Sequence, residues 1–554
     1  MSVNLAIANI ALDTANVSRQ GFGTILFVGQ HNYFAERVRA YTSTKSMSED
    51  GIDSNHPIFQ AAVGAFSQTP SPRELLIGRQ AVASHLGLAE DTPVEGKLYS
   101  FSLTTPTGTD TFEVTGAAVA SAVTPLSTQA SGAVELLPAN PSSLSHQISF
   151  GGDPVSGSLA VEVKYASGAN YEPLLDQDGI SPVVIDLSQP ETFNIDAALV
   201  SLRFTPTSVV GDYKVIIASG GETGESIATQ FVNLINQSPL AADLAIAVVD
   251  QGNAAQLEVD TLNGAWFTVS NLVNLAESFG TSTETAADVV AAIEAEDESW
   301  YYITAQEKSN TFVTDMATLI ESKLKVYATS LDELSVFEPV STGTAVDLKD
   351  GNFFRTYNTY HQEAKTTFPE VARIAEAAFA VTGSISYGNR RVAAVPVSLN
   401  AAGKPLTTTQ QNKLKAINSD FFARVGSDAN ADPIIGVVGK VASGEWLDNI
   451  VGRDSMQVDI EADFNTFLIN QKNGKVSLNN KGINQVKNIL SSTLTQYTPE
   501  GTHNFIEDDF DITVVDVSDV PLADKAARVF KQITFRATLT NAIHMVEING
   551  TLSY

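Results

Sequence analysis

The sequence predicts a multidomain protein of the α/β and α+β classes: a core of mixed sheet and helices carrying a β-rich acidic insert. Three observations predict it. The chain has 554 residues, too many for one core and enough for roughly three or four domains of about 100–200 residues each. From residue 286 onward, strand-like and helix-like segments alternate, which is the pattern of a mainly parallel sheet with crossover helices. The stretch between 92 and 285 is rich in Thr, Ser and Gly and in short alternating runs such as "LYSFSLTT", "TDTFEVTG" and "LAVEVKYA", as in small β domains.

In chain order, "VNLAIANIAL" (3–12) is apolar and largely alternating, and "GTILFVGQ" (23–30) reads as a buried strand. "SNHPIFQAAVGAFSQ" (54–68) is a helix. Phe59, Ala62, Val63 and Phe66 repeat at the spacing of a buried stripe, and Pro57 suits a first turn. "ELLIG" (74–78) returns as a strand. In the insert, "GDYKVIIA", "SIATQFVNLIN", "LAIAVVD" and "AQLEVDT" read as strand, helix, strand and strand, a compact α+β unit. Beyond it, "WYYITA" (300–305), "KVYATS" (325–330), "RTYNTYH" (355–361) and "RVAAVPV" (391–397) are expected as strands. Residues 309–324 and 368–381 are expected as the helices between them. Three further helices are predicted, at 407–423, around 461–471 and near 481–494. "FDITVVDV" and 533–540 are then strands, with Ile533, Phe535, Ala537 and Leu539 on the buried face. The phase of apolar residues flips after Met545, so "VEINGTLSY" (546–554) is a strand able to leave its own sheet.

Composition excludes several functions. The hydrophobic fraction of 43% and the charged fraction of 17% are those of a globular chain. No long apolar run and no leader pattern is present, which predicts a soluble, unprocessed protein without membrane insertion. With no cysteine, disulfides, thiolate metal sites and cysteine nucleophiles are ruled out. The net charge of −30 repels phosphate backbones, which argues against nucleic-acid binding. Residues 92–285 hold 4 basic and 21 acidic residues, a net of −17, leaving −13 for the other 360.

No constellation reads as an active site. "SGGETGES" (219–226) sits where a phosphate loop would, but Ser219 and Glu225 stand where Gly and Lys are needed. A capped helix start explains the same residues. "IEDDFD" (506–511) lacks the alternating ligands and central glycine of a calcium loop and reads as a solvated turn. The seven histidines never fall at metal-ligand spacing, and His544, between Ile543 and Met545, reads as a structural strand residue. Strand ends at Ser330, His361 and Thr304 are thin support for a hydrolase. No catalytic residue, cofactor or metal is therefore predicted. Against the acidic background, 471–499 carries Lys472, Lys475, Lys481 and Lys487 with no Asp or Glu. This is either a solvated helix face or a basic face for an acidic partner.

The closing "NAIHMVEINGTLSY", the opening "VNLAIANIA", "FSQTPSPRELLIGR" (66–79), "SGEWLDNIVGRDSMQVDIEADFNTFLINQ" (443–471) and "NKGINQVKNILSSTL" (480–494) resemble, in this order, the contractile-tail sheath proteins of bacteriophages. The likeness covers roughly 1–90 and 286–554 and leaves out the acidic insert. It implies an N-terminal linking arm at 1–22 and a discontinuous core at 23–91 and 286–530. That core has an α/β section at 286–402 and an inner helical section at 403–530. It also implies a variable outer insert at 92–285, divided as 92–200 and 201–285, and C-terminal strands with a linking arm at 531–554. The role implied is a non-enzymatic subunit of the virion tail, assembled in the bacterial cytoplasm. Such subunits polymerise as stacked hexameric rings around a tube and contract to drive it through the host envelope during genome delivery. The implied partners are further copies, the tail tube protein, and baseplate and tail terminator proteins. Terminal strands exchanged between subunits assign linkage to Val3, Leu5, Ile7, Val546, Ile548 and Leu552, and position alone assigns tube contact to Lys475, Lys481 and Lys487. The alternatives are a phage-like injection particle or bacteriocin sheath, and a surface-layer or adhesin-like binding protein.

Overall fold

The computed structural model describes residues 21–90, 97–115, 126–130, 133–136, 146–151, 157–165, 168–175, 181–186, 192–195, 198–208, 213–219, 224–250, 255–261, 266–280, 282, 284–426, 432–471, 474–544 and 546. Two compact units are present, one from residues 1–30, 36–80 and 284–554 and the other from 31–35 and 81–283.

The first unit is built on β1 (Ile25–Gln30), β2 (Val38–Tyr41), α1 (Thr44–Glu49), α2 (Pro57–Phe66), β3 (Leu75–Gln80), α3 (Ala286–Glu294), β4 (Tyr302–Ala305), α4 (Asn310–Glu321), β5 (Val326–Leu331), α5 (Thr344–Asp350), β6 (Thr356–Tyr360), α6 (Pro369–Ala378), β7 (Arg390–Arg391), α7 (Thr408–Ala416), β8 (Asp420–Arg424) and β9 (Ile434–Gly436). The strands form one nine-stranded sheet in the order β2-β3-β1-β4-β5-β6-β8-β9-β7. The run β3-β1-β4-β5-β6-β8 is parallel, with registers such as Ile25↔Tyr302 and Thr359↔Asp420, and the edges are antiparallel. Ile25 to Val28 are all fully buried, as a strand covered on both faces requires. Helices α3, α4 and α5 pack with the sheet in one cluster around Trp300, Ile303, Met316 and Leu348. Helices α2 and α6 pack against each other so closely that a Cβ added at Gly64 would touch that of Ala372 at 3.4 Å.

Three expectations are corrected here. The helix expected over 407–423 is α7 followed by β8, because Asn418 takes a left-handed conformation (φ 55°) that ends the helix and turns the chain into the sheet. The strand expected over 391–397 is reduced to β7. Ala394 has φ 59° and Pro396 lacks an N–H, so the ladder stops after Val392. The long helix sought around 461–471 is α8, Leu447–Ile469. Its first half is buried on several sides (Ile450, Val451, Asp454, Ser455), so it shows little amphipathic period.

Two clusters organise the second unit. Helix Gly224–Asn236 packs on Phe101, Phe112, Leu257 and Val259 in an α+β core. Strand Ser84–Leu88 lies between Ala255–Thr261 and Leu275–Phe279 in the same core. Strands Ser158–Tyr165, Leu199–Pro206, His146–Gly151 and Tyr213–Ser219 surround a second core of Ile148, Val161, Leu202, Phe204 and Val215. Strand Tyr213–Ser219 therefore leaves the α+β unit in which the sequence places it, and the two cores do not follow a cut at residue 200. Sheet pairing, which joins distant segments, decides that division. The unit takes in 81–91, ahead of the expected start at 92.

Candidate assembly surface

The helical section of the first unit adds α9 (Asn480–Gln496), β10 (Asp511–Val514), α10 (Leu522–Ala527) and β11 (Ile533–Arg536). Helix α9 begins at Asn479, whose side chain accepts from the Gly482 N–H at 3.0 Å. Glycine is needed at 482, since an added Cβ would lie 1.9 Å from the Ser477 carbonyl oxygen. Ile483, Leu490 and Leu494 form the buried stripe of α9. Leu490 and Leu494 meet Met456 of α8 in a cluster with Tyr497, Phe505, Ile506 and Ile512. Towards its end α8 presents Leu468 and Ile469, 56% and 61% exposed. A groove of 390 Å³ opens there, lined by Phe464, Leu468, Val476, Ile483, Val486 and Ile533.

Strands β10 and β11 pair antiparallel, Ile512↔Phe535 and Val514↔Ile533, as a sheet of two strands. The expected eight-residue strand over 533–540 is thus cut to four. After Arg536 the chain changes partner: the Glu507 N–H bonds the Thr538 carbonyl (2.8 Å), and the Thr540 N–H bonds the Phe505 carbonyl (2.9 Å). Ala537 and Leu539 pack on the cluster while Phe535, of the same phase, is 42% exposed. Phe535 and Arg536 line a second groove, of 510 Å³, with Phe354, Arg453, Met456 and Leu539. Strand β11 therefore borders both grooves.

Of the sequence-derived linkage residues, Val3, Leu5, Ile7, Ile548 and Leu552 lie outside the described residues. Val546 is 70% exposed. Lys475 precedes α9 and is exposed, Lys481 is exposed on α9, and Lys487 is half-buried beside the stripe. Six residues apart, Lys481 and Lys487 project about 120° apart around the helix. None of the three lysines makes an ion pair among the described residues.

The residues weighed for hydrolysis are all buried and bonded locally. Ser330 Oγ donates to Glu370 Oε2 (2.5 Å), Thr304 Oγ1 donates to the Leu26 carbonyl (3.4 Å), and His361 Nδ1 accepts from the Glu363 N–H (3.1 Å). Burial lowers His361 to about 4, which keeps the ring neutral at ordinary pH. Ser330 and His361 are not hydrogen-bonded to each other among the described residues. Among those residues no helix is long and apolar enough to cross a membrane, and no group of three or more His, Cys, Asp or Glu could hold a metal ion.

His544 differs from its expected place in a strand: residues 541–544 form no ladder. Its Nε2 lies 2.6 Å from Ser386 Oγ, and its carbonyl accepts from Asn389 Nδ2 at 2.9 Å. Its ring stands edge-on to Trp446 at 4.3 Å. The sequence shows none of these partners, which lie about a hundred or more positions away.

No family profile and no curated protein sequence matches the chain. Among solved structures the chain is similar to a sheath tail protein from Listeria innocua, at 9% identity over 95% of this chain and 96% of that one, with a TM-score of 0.38. It is also similar to a chain of the anti-feeding prophage baseplate, at 10% identity over 50% of this chain and 76% of that one, with a TM-score of 0.34.

Proposed function

We propose that the chain is the sheath subunit of a contractile tail, polymerising as stacked rings around a tail tube and contracting to drive the tube through a host envelope. The observation that carries this reading is a match of need and supply. Strands β10 and β11 pair only with each other among the described residues, and a two-stranded sheet is marginal alone. The chain meanwhile has strand-patterned segments at 3–12 and 546–554. Strands added to open edges give main-chain bonding between copies, which keeps subunits linked while other interfaces exchange in a rigid-body switch. Linkage then falls to Val3, Leu5, Ile7, Val546, Ile548 and Leu552. The partners are further copies, the tube, the baseplate and the terminator, in the virion tail or in a phage-like injection particle built from the same kind of subunit.

Removing residues 546–554 is expected to leave a folded, soluble monomer, with an unchanged denaturation midpoint, that forms no tubes by sedimentation or electron microscopy. Tubes from the truncated protein would refute strand donation. Tube contact is assigned to Lys475, Lys481 and Lys487. Lys481→Glu with Lys487→Glu is expected to weaken co-sedimentation with tail tubes by about tenfold or more, through charge reversal at a contact. Folding should be spared, and unchanged co-sedimentation removes the lysines from that role.

A further inference from the structure

The chain passes between the two units four times, after Gln30, before Glu36, after Gln80 and before Glu284. Within the first unit these positions lie side by side. Gln30 and Gln80 close β1 and β3 as ladder partners, and β2 begins with Val38 opposite Gly78 of β3. The returning chain is fixed beside them, because Gln80 Nε2 donates to the Glu284 carbonyl at 3.1 Å.

Arg37 links these positions. Its guanidinium grips both carboxylate oxygens of Glu284, Nη1 on Oε2 at 3.0 Å and Nη2 on Oε1 at 2.8 Å. Nη1 also donates to the Arg79 carbonyl (3.2 Å), and the Arg79 N–H donates to the Arg37 carbonyl (2.8 Å). The Arg37 N–H donates in turn to Glu296 Oε2 (2.8 Å). Glu284 and Glu296 stand before and after α3, so one arginine meets acids flanking both ends of that helix. Thr285 starts α3 directly after Glu284, in a capping box with Asp288. The helix sits close on β3, where a Cβ added at Gly78 would lie 2.5 Å from Ile293 Cδ1.

Charge explains the acids. Arg79 is buried, and its burial together with the Arg37 guanidinium lowers its pKa to about 10, while Glu284 and Glu296 act in the opposite sense. Two neighbouring guanidiniums with little water around them need those carboxylates. The Arg37 and Glu284 side chains are each 14% exposed, so salt and water screen the pair less than a surface pair. Its two-pronged contact also fixes the geometry.

We propose that Arg37 is the centre of a clasp that ties three of the four crossings, at Glu36, Gln80 and Glu284, and holds α3 on β3 between them as one cooperative element. The fourth crossing, at Gln30, joins through the ladder to Gln80. The clasp lies wholly in the first unit, so that unit's own residues set where the chain leaves it and returns. Loosening one crossing then opens the others, as in a local unfolding unit. The clasp does not rest on the sheath reading.

Backbone amide exchange on the full chain tests it. Glu284→Ala touches neither the Arg37 N–H nor the Arg79 N–H. It is nevertheless expected to speed exchange about tenfold or more at both, as well as in the first turn of α3. Arg37→Ala should do the same, and the double variant should exchange no faster than either single one, because both open one element. Strand Ala255–Thr261 and β5 should exchange as in wild type. Should Glu284→Ala fail to fold, Glu284→Gln keeps the shape without the charge and is expected to give about threefold at the same amides. Faster exchange confined to 284–289, or single effects that multiply in the double variant, overturns the clasp. So does acceleration that reaches β5 equally, which reports lost global stability instead.

Discussion

Asp420→Ala is expected to remove most of the stability of the first unit. Asp420 and Arg373 are both fully buried, and Asp420 serves several donors at once. Its Oδ2 accepts from the Tyr357 hydroxyl and from Arg373 Nε (3.1 Å), and its Oδ1 accepts from the backbone N–H groups of Val437 (2.8 Å) and Val438 (2.6 Å). Truncation leaves a guanidinium without its carboxylate and the Val438 N–H without its acceptor, while the Val437 N–H keeps the Phe421 carbonyl at 3.2 Å. Breaking a buried pair costs about 3–5 kcal/mol, and the orphaned donor adds about 1–3 kcal/mol. Against a typical domain stability of about 5–15 kcal/mol, the variant should unfold at a much lower urea midpoint or fail to accumulate folded. Asp420→Asn, which keeps the shape and one acceptor, should lose clearly less. Equal midpoints for wild type and Asp420→Ala would show that the network does not hold β6, β8 and α6 together.

Lys308 and Glu370 make the second large prediction, with a sign that depends on whether one or both are changed. Lys308 Nζ sits 2.7 Å from Glu370 Oε1 and 3.3 Å from Thr329 Oγ1, and the side chains are 2% and 0% exposed. Lys308→Ala strands a buried carboxylate whose other oxygen is taken by Ser330, and a loss of about 3–5 kcal/mol is expected. Lys308→Met with Glu370→Leu removes both charges at similar volume, and is expected to be neutral or stabilising by about 1–4 kcal/mol. A urea-denaturation double-mutant cycle reads the coupling. The same double variant bears on function. Under the sheath reading it should still form tubes, because the pair does no chemistry. A stable, well-folded double variant unable to assemble would give this pair a role beyond packing.

The sequence by itself determined the elements whose pattern is local. Strands Leu244–Asp250 and Ala255–Thr261 match their expected bounds because alternation against one buried face is visible in seven residues. Helix α2 is equally legible through Pro57 and its apolar periodicity, but its buried face is Ile58, Ala61, Ala62 and Ala65, whereas Phe59, Val63 and Phe66 of the expected stripe are only half-buried. The basic stretch around α9 is visible through the lysines set against a net charge of −30. Tertiary structure alone decided the rest. Strand β8 was hidden because Asn418 ends a helix without glycine or proline, and only pairing with β6 and β9 makes Phe421 and Phe422 a strand. The early start of α8 was hidden by burial on several sides. The division of the second unit follows pairings between strands far apart in the chain, and the early end of β11 follows a change of partner after Arg536. His544 shows the limit most clearly: its type and neighbours suggested a strand residue, while its contacts are with Ser386, Asn389 and Trp446. Periodicity records which side of a residue meets the core, and it carries no record of which distant residue stands there.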